Sequence, residues 1–141
     1  MTCKNLLFIF FYTVLIGCKD SNVKKKKTPN AKTLFTLVQS THTGINFKNT
    51  VEQDINFNYI EYLYAFNGAG VSIGDINNDG LDDIYFTSNQ NSNKLYINQG
   101  NFKFVDGTKK GGLEDDEGWS TGVTMVDINN DGWLDIYVCK S

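Results

Sequence analysis

The chain has 141 residues, a net charge of −3, thirteen glycines, one proline, ten Phe, seven Tyr and two Trp. That length suits about one domain, and the aromatic content argues against disorder. All thirteen basic residues are lysines; residues 19–32 hold six of them, whereas residues 33–141 set six lysines against fifteen acids, so the acidic, arginine-free body is a poor nucleic-acid binder.

Lys4 is followed by the apolar run Leu6–Ile16, too short for an ordinary membrane-spanning helix but suited to the apolar core of a signal peptide. It ends in Leu15-Ile16-Gly17-Cys18, which resembles the lipobox of bacterial lipoproteins. The resemblance implies cleavage after residue 17 and acylation of Cys18. Lipidation would anchor the chain in a membrane, each buried methylene contributing about 0.8 kcal/mol. Lys19 followed by Asp20 weakly resembles a surface-export signal, and residues 18–32, with the run Lys24–Lys27 and Pro29, read as a charged, extended tether.

The folded part is expected over residues 33–141. Leu34–Val38 reads as a first strand, Ser40–Gly44 as a turn and Ile45–Phe47 as a short strand. His42, the single histidine, is expected on an exposed loop. Phe57–Phe66 carries aromatics at alternating positions and reads as extended chain packed on the body, with a sugar-binding platform as the alternative. Gly70–Gly74 reads as a strand whose glycines allow close backbone approach, and Ile84–Thr87 as the strand that follows. Lys94–Asn98 and Phe102–Val105 flank Gly100 as a hairpin. Thr108–Gly112 is a turn and Glu114–Glu117 an acidic loop, expected to be solvated. Gly122–Val126 and Ile136–Cys139 form the last pair of strands. With Cys3 removed and Cys18 lipidated, Cys139 is expected to be an unpaired, small apolar residue on a buried strand.

One pattern organises this body. Asp75–Asp83 reads D-x-N-x-D-G-x-x-D, and Asp127–Asp135 repeats it fifty-two residues on. Oxygen-bearing side chains fall at positions 1, 3, 5 and 9, and glycine at 6 permits a sharp turn. The carbonyl at position 7 adds a further oxygen. The three carboxylates at positions 1, 5 and 9 repel one another unless a cation lies between them. The candidate ligands are therefore Asp75, Asn77, Asp79, Asp83 and the Leu81 carbonyl in loop 75–83. In loop 127–135 they are Asp127, Asn129, Asp131, Asp135 and the Trp133 carbonyl. Two sites for Ca²⁺ are expected, since its irregular oxygen coordination suits a flexible loop better than the stricter octahedron of Mg²⁺. Position 12 is Phe86 or Val138 and the flanks are strand-like, so a helix–loop–helix calcium motif, which requires Glu at 12, is excluded. Four strands in about fifty residues is the arithmetic of a propeller blade.

Gly70–Tyr85 resembles the motif of FG-GAP/VCBS repeats, the calcium-bearing blades also found in integrin α-subunit propellers. Asn93–Gly100 with Phe102–Phe104, and Gly118–Val123, resemble the parts of that repeat around the motif. The resemblance implies an all-β fold of about two blades from an incomplete propeller, with the same ligand sets in both loops. It is closest to secreted or lipid-anchored proteins that also carry an ASPIC/UnbV domain. Two repeats cannot close a propeller, and Ser141 follows directly on a strand, so further blades are expected beyond this chain; a two-blade unit closing by oligomerisation is the alternative. The expected function is that of a non-enzymatic, calcium-binding protein lipid-anchored to the cell envelope, acting in adhesion or in binding a glycan or protein ligand, with the metal structural. A polysaccharide lyase or hydrolase on the same scaffold is the alternative, disfavoured because no nucleophile–base pair and no second histidine stand out.

Overall fold

The computed structural model describes residues 33–114 and 118–141. The expected signal peptide at 1–17, Cys18, the tether to residue 32, and Asp115, Asp116 and Glu117 lie outside the described residues. The chain divides into two compact units, Met1–Thr36 and Leu37–Ser141. Of the first, residues 33–36 are described: they are irregular, with Leu34 and Phe35 exposed. Among the described residues no helix is long and apolar enough to cross a membrane.

The second unit is nearly all β. Among its described residues a single helical turn, α1 (Ser40–Thr43), precedes six strands: β1 (Val71–Gly74), β2 (Asp83–Phe86), β3 (Lys94–Asn98), β4 (Phe104–Asp106), β5 (Ser120–Val126) and β6 (Asp135–Lys140). Strands β1 to β4 form an antiparallel sheet in sequence order, and β5 and β6 form an antiparallel pair. Each β1–β2 or β5–β6 unit is a strand, an Asp/Asn loop and a returning strand. Val71 pairs with Phe86 and Gly74 with Asp83 in the first; Val126 pairs with Asp135 in the second. This is the blade arrangement expected from the repeat, and the described strands leave the propeller open.

Glycine decides how the two sheets meet. A Cβ on Gly70 would lie 2.9 Å from the Val123 amide nitrogen and 3.1 Å from the Gly122 Cα. The equivalent glycines of the two repeats thus pack backbone to backbone, a distance that no side chain permits. Two residues on, the Met125 amide donates to Ser72 Oγ at 2.9 Å. Strand β1 therefore turns its small residues toward β5 and leaves Val71 and Ile73 exposed.

The buried interior combines Ala65, Tyr85, Leu95 and Tyr96 with a polar set: Asp83, Thr87, Ser88, Asn89, Asn93, Thr108 and Ser120. Every buried side-chain nitrogen or oxygen among the described residues has a hydrogen-bond partner, which is what makes so polar a core tolerable.

Three expected extended segments do not form. Leu34–Val38 and Ile45–Phe47 form no strands, and Phe57–Phe66 is a succession of turns. Asp54 and Asn58 explain the last case. The Asp54 carboxylate accepts the amides of Asn56 and Phe57, and the Asn58 side-chain carbonyl accepts those of Ile60 and Glu61. These Asx turns compete with extended structure. The aromatics there cluster instead: Phe57 and Tyr62 lie 5.1 and 5.5 Å from Trp119, ring centre to ring centre. Cys139 is a free thiol and exposed, not buried, because it alternates on β6 with half-buried Val138.

Candidate metal centre

Loop 75–83 starts where β1 ends. Within it the side chains fold back on the loop's own amides. The Asp79 amide donates to both Asp75 Oδ1 and Asn77 Oδ1, each at 3.0 Å. The Gly80 amide donates to Asp75 Oδ2 at 2.7 Å, and the Leu81 amide to Asp79 Oδ1 at 2.9 Å. Asn77 Nδ2 donates to Asp79 Oδ2 at 2.8 Å. Asn78 and Gly80 occupy the left-handed region at φ 56° and 84°, which Asn tolerates and Gly adopts freely.

Loop 127–135 repeats this geometry atom for atom. The Asp131 amide donates to Asp127 Oδ1 at 3.0 Å and to Asn129 Oδ1 at 3.1 Å. Gly132 donates to Asp127 Oδ2 at 2.8 Å, Trp133 to Asp131 Oδ1 at 2.9 Å, and Asn129 Nδ2 to Asp131 Oδ2 at 2.9 Å. Asn130 and Gly132 have φ of 59° and 88°. Nine residues in the right order thus suffice to fix the loop, because every one of these bonds spans at most five residues. The Asn129 amide and the Trp133 N–H hold the Asp131 carboxyl below the usual carboxylate range.

Position 9 ties each loop to its sheet, and here the copies differ. Asp83 is fully buried. Its Oδ2 accepts the Ile76 amide at 3.2 Å and its Oδ1 the Asn98 amide at 2.7 Å, so it joins the loop to β3. Burial pushes its carboxyl up, against the two amides that stabilise the ionised form, and the charges of Asp79 and Asp75 push the same way. Among the described residues Asp135 keeps only the loop bond, from the Ile128 amide at 3.1 Å, and it is half-buried. Asp82, which has no acidic counterpart in the second loop, is exposed.

The two loops touch through Asn78 Nδ2, which donates to the Gly132 carbonyl at 3.1 Å. Each loop carries an all-oxygen donor set, three carboxylates and one side-chain amide carbonyl, and the positions 1 and 3 oxygens meet at one amide. That donor chemistry fits a hard cation. Among the described residues, however, no three His, Cys, Asp or Glu side chains gather into a metal-holding group. The carboxylates are engaged by loop amides, each carboxylate oxygen retaining a further lone pair.

Other candidates fall elsewhere. His42 lies exposed in α1 with Nε2 2.9 Å from the Asn101 carbonyl, and makes no hydrogen bond to either loop among the described residues. What the sequence did not disclose is a buried amide network between the sheets. Asn89 Nδ2 donates to the carbonyls of Gly68 and Ser120, its Oδ1 accepts from Asn49 Nδ2 at 2.6 Å, and Asn93 Nδ2 donates to Ser120 Oγ. The one sequence signal is the density of Ser and Asn in residues 88–93, a composition that also suits an ordinary turn.

Comparison with known proteins agrees with this geometry. Residues 75–138 match the FG-GAP-like repeat. Over 69 residues, 49% of this chain, it is 39% identical to cartilage acidic protein 1 of Mus musculus and 36% identical to that of Homo sapiens. The corresponding protein of Xenopus tropicalis is 35% identical over the same length. The chain spans about a tenth of the length of these curated relatives, 11%, 10% and 11% in turn. The matched residues 75–138 hold both Asp/Asn loops and strands β2 to β5: this stretch of the chain carries the FG-GAP-like repeat.

Proposed function

We propose that this chain is a calcium-stabilised, non-enzymatic propeller segment that serves adhesion or ligand binding at the cell envelope, held there by a lipid on Cys18. The observation that carries the metal reading is the duplication of one oxygen-rich loop geometry, bond for bond, in two places. Asp75, Asn77, Asp79, Asp83 and the Leu81 carbonyl would hold one ion; Asp127, Asn129, Asp131, Asp135 and the Trp133 carbonyl would hold the other. Bound calcium supplies positive charge that offsets the mutual repulsion of three carboxylates. The chain's own part is to hold the loops in register: Asp83 bridges loop and β3, and Asn78 bridges loop to loop. An adhesion or ligand-binding role is what an FG-GAP-like repeat supports. The anchor rests on the resemblance of Leu15–Cys18 to a lipobox.

The test is thermal melting with calcium and with a chelator, paired with terbium titration. Trp133 at position 7 of the second loop is a built-in sensitiser. Calcium should raise the melting temperature, and terbium emission excited through Trp133 should appear in the wild type and fade in Asp127→Asn. Coincident melting curves together with no sensitised emission would sink the metal reading. Metabolic labelling with a fatty acid, lost in Cys18→Ser, tests the anchor.

A further inference from the structure

A cleft of about 550 Å³ opens between the segment after α1 and the β3–β4 hairpin, a volume within the range of about 300–1,000 Å³ typical of small-molecule sites. Its walls are fixed by contacts of their own. The Asn46 amide donates to the Tyr96 hydroxyl at 3.3 Å, and Phe47 stacks on Phe86 at 4.8 Å with 12° between the rings. Gly44 lies so close to the hairpin that a Cβ there would sit 2.6 Å from the Phe104 carbonyl. On the far wall Lys94 Nζ pairs with Asp106 at 3.1 Å.

The cleft's lining sets polar side chains beside a comparable apolar surface, which suits an amphipathic occupant better than a purely apolar one. Among the described residues the side-chain amides of Asn46 and Asn91 make no hydrogen bond, and Lys48 makes no ion pair. Tyr96 uses its hydroxyl as acceptor for Asn46, so its proton remains available for donation. Lys94 is neutralised by Asp106, and Lys48 is the one uncompensated charge. A cation is disfavoured, with two ammonium groups facing one carboxylate. An extended polyanion is disfavoured by the fifteen acids of residues 33–141. What fits is a ligand with one anionic group for Lys48, hydroxyls for the two amides, Tyr96 and Asp106, and a C–H face for the half-buried Phe47 ring.

We propose that this cleft binds an acidic saccharide, a hydroxyl-bearing ring that carries one carboxylate. The proposal rests on the ligand-binding reading above and deepens it by naming the site and the ligand class. In a chain without arginine, carboxylate recognition falls to lysine as a point charge.

The experiment is a calorimetric and amide-NMR titration of the whole chain, in calcium, with galacturonate, a single ring with one carboxylate. Galactose serves as the neutral sugar and sodium sulfate as the free anion. Galacturonate should bind and shift the amides of Lys48, Asn91 and Tyr96, with galactose and sulfate far weaker. Lys48→Ala and Asn91→Ala, both at exposed positions and checked for an unchanged circular dichroism spectrum, should each weaken binding about tenfold, the loss expected of a charge-assisted or well-aligned hydrogen bond. No binding at about 10 mM galacturonate, equal binding of galactose or sulfate, or binding indifferent to both variants overturns the proposal. The same variants on a glycan array separate the two readings. Retention of any glycan independent of Lys48 and Asn91 overturns the site and leaves the ligand-binding reading standing; an array with no retained glycan removes the glycan form of both.

Discussion

The side-chain amide of Asn78, in the first Asp/Asn loop, donates to the backbone carbonyl of Gly132 in the second, 3.1 Å away. The loops are fifty-two residues apart in sequence and chemically alike, yet this bond runs in one direction only. Asn130, the counterpart of Asn78, has the same left-handed backbone, φ 59° against 56°, and makes no such bond among the described residues.

That asymmetry supplies an internal control. Asn78→Gly and Asn130→Gly both keep a residue suited to positive φ, but only the first removes the cross-loop bond. Asn78→Gly should be the more destabilising of the two by about 0.5–1.5 kcal/mol, the net worth of a single hydrogen bond. Urea melts of the two variants, run side by side, decide it; equal midpoints would mean that the loops are energetically independent.

Asp83 and Asp82 are neighbours with opposite surroundings. Both Asp83 carboxylate oxygens accept backbone amides, from Ile76 and Asn98, while Asp82 is exposed. In Asp83→Asn one of those amides faces an NH₂ group and loses its acceptor, at a cost of about 1–3 kcal/mol. Asp82→Asn should stay within about 0.5 kcal/mol of wild type, as surface changes do. Chemical denaturation in chelator isolates this from any metal effect.

The close approach of β1 and β5 gives a third expectation. A Cβ at Gly70 would meet rigid backbone at Val123 and Gly122, whereas one at Gly74 would meet the Leu134 and Met125 side chains, at 2.8 and 3.1 Å. Side chains can rotate away and backbone cannot. Gly70→Ala should therefore cost about 1–3 kcal/mol, as overpacking does, and Gly74→Ala less. Amide exchange should show β5 loosening in Gly70→Ala; unchanged protection there would contradict the packing described.

Asp106 makes the acid response legible. Its burial alone would raise the carboxyl, but hydrogen bonds from the Thr108 hydroxyl and amide, and the Lys94 ammonium at 3.1 Å, outweigh that and hold it below the usual carboxylate range. A folded-state value below the unfolded one means that the group stabilises the fold above the unfolded value and that this contribution is lost as pH falls through the folded value. The melting-temperature gap between wild type and Asp106→Asn should accordingly be widest above pH 4 and close under more acidic conditions. A gap that is constant with pH would assign the residue no ionic role.

The two loops were legible from the sequence because their bonds are local. Asp75 and Asp127 reach amides four and five residues on, so residue order alone specifies the geometry, and the same holds for the hairpin around Gly100. Phe102 is an instructive miss within that hairpin. It reads as a strand residue, yet it takes φ 56° in the turn, where the Lys103 carbonyl accepts the Gln99 amide, and β4 begins two residues later. Leu34–Val38 and Phe57–Phe66 misled for a related reason: apolar alternation favours a strand only when a partner strand is at hand, and Asx turns won in the second segment.

By itself, then, the sequence determined the duplicated loop, its oxygen-donor set and the strand pairs around it, since those depend on neighbours within a few residues. Tertiary structure decided what long-range contact alone can decide. It buried Asp83 but left Asp135 half-exposed, packed Gly70 against Gly122, enclosed the Asn49–Asn89–Asn93–Ser120 network between the sheets, and turned Cys139 outward. Burial belongs to whichever residue a distant segment happens to cover, and no local pattern encodes that.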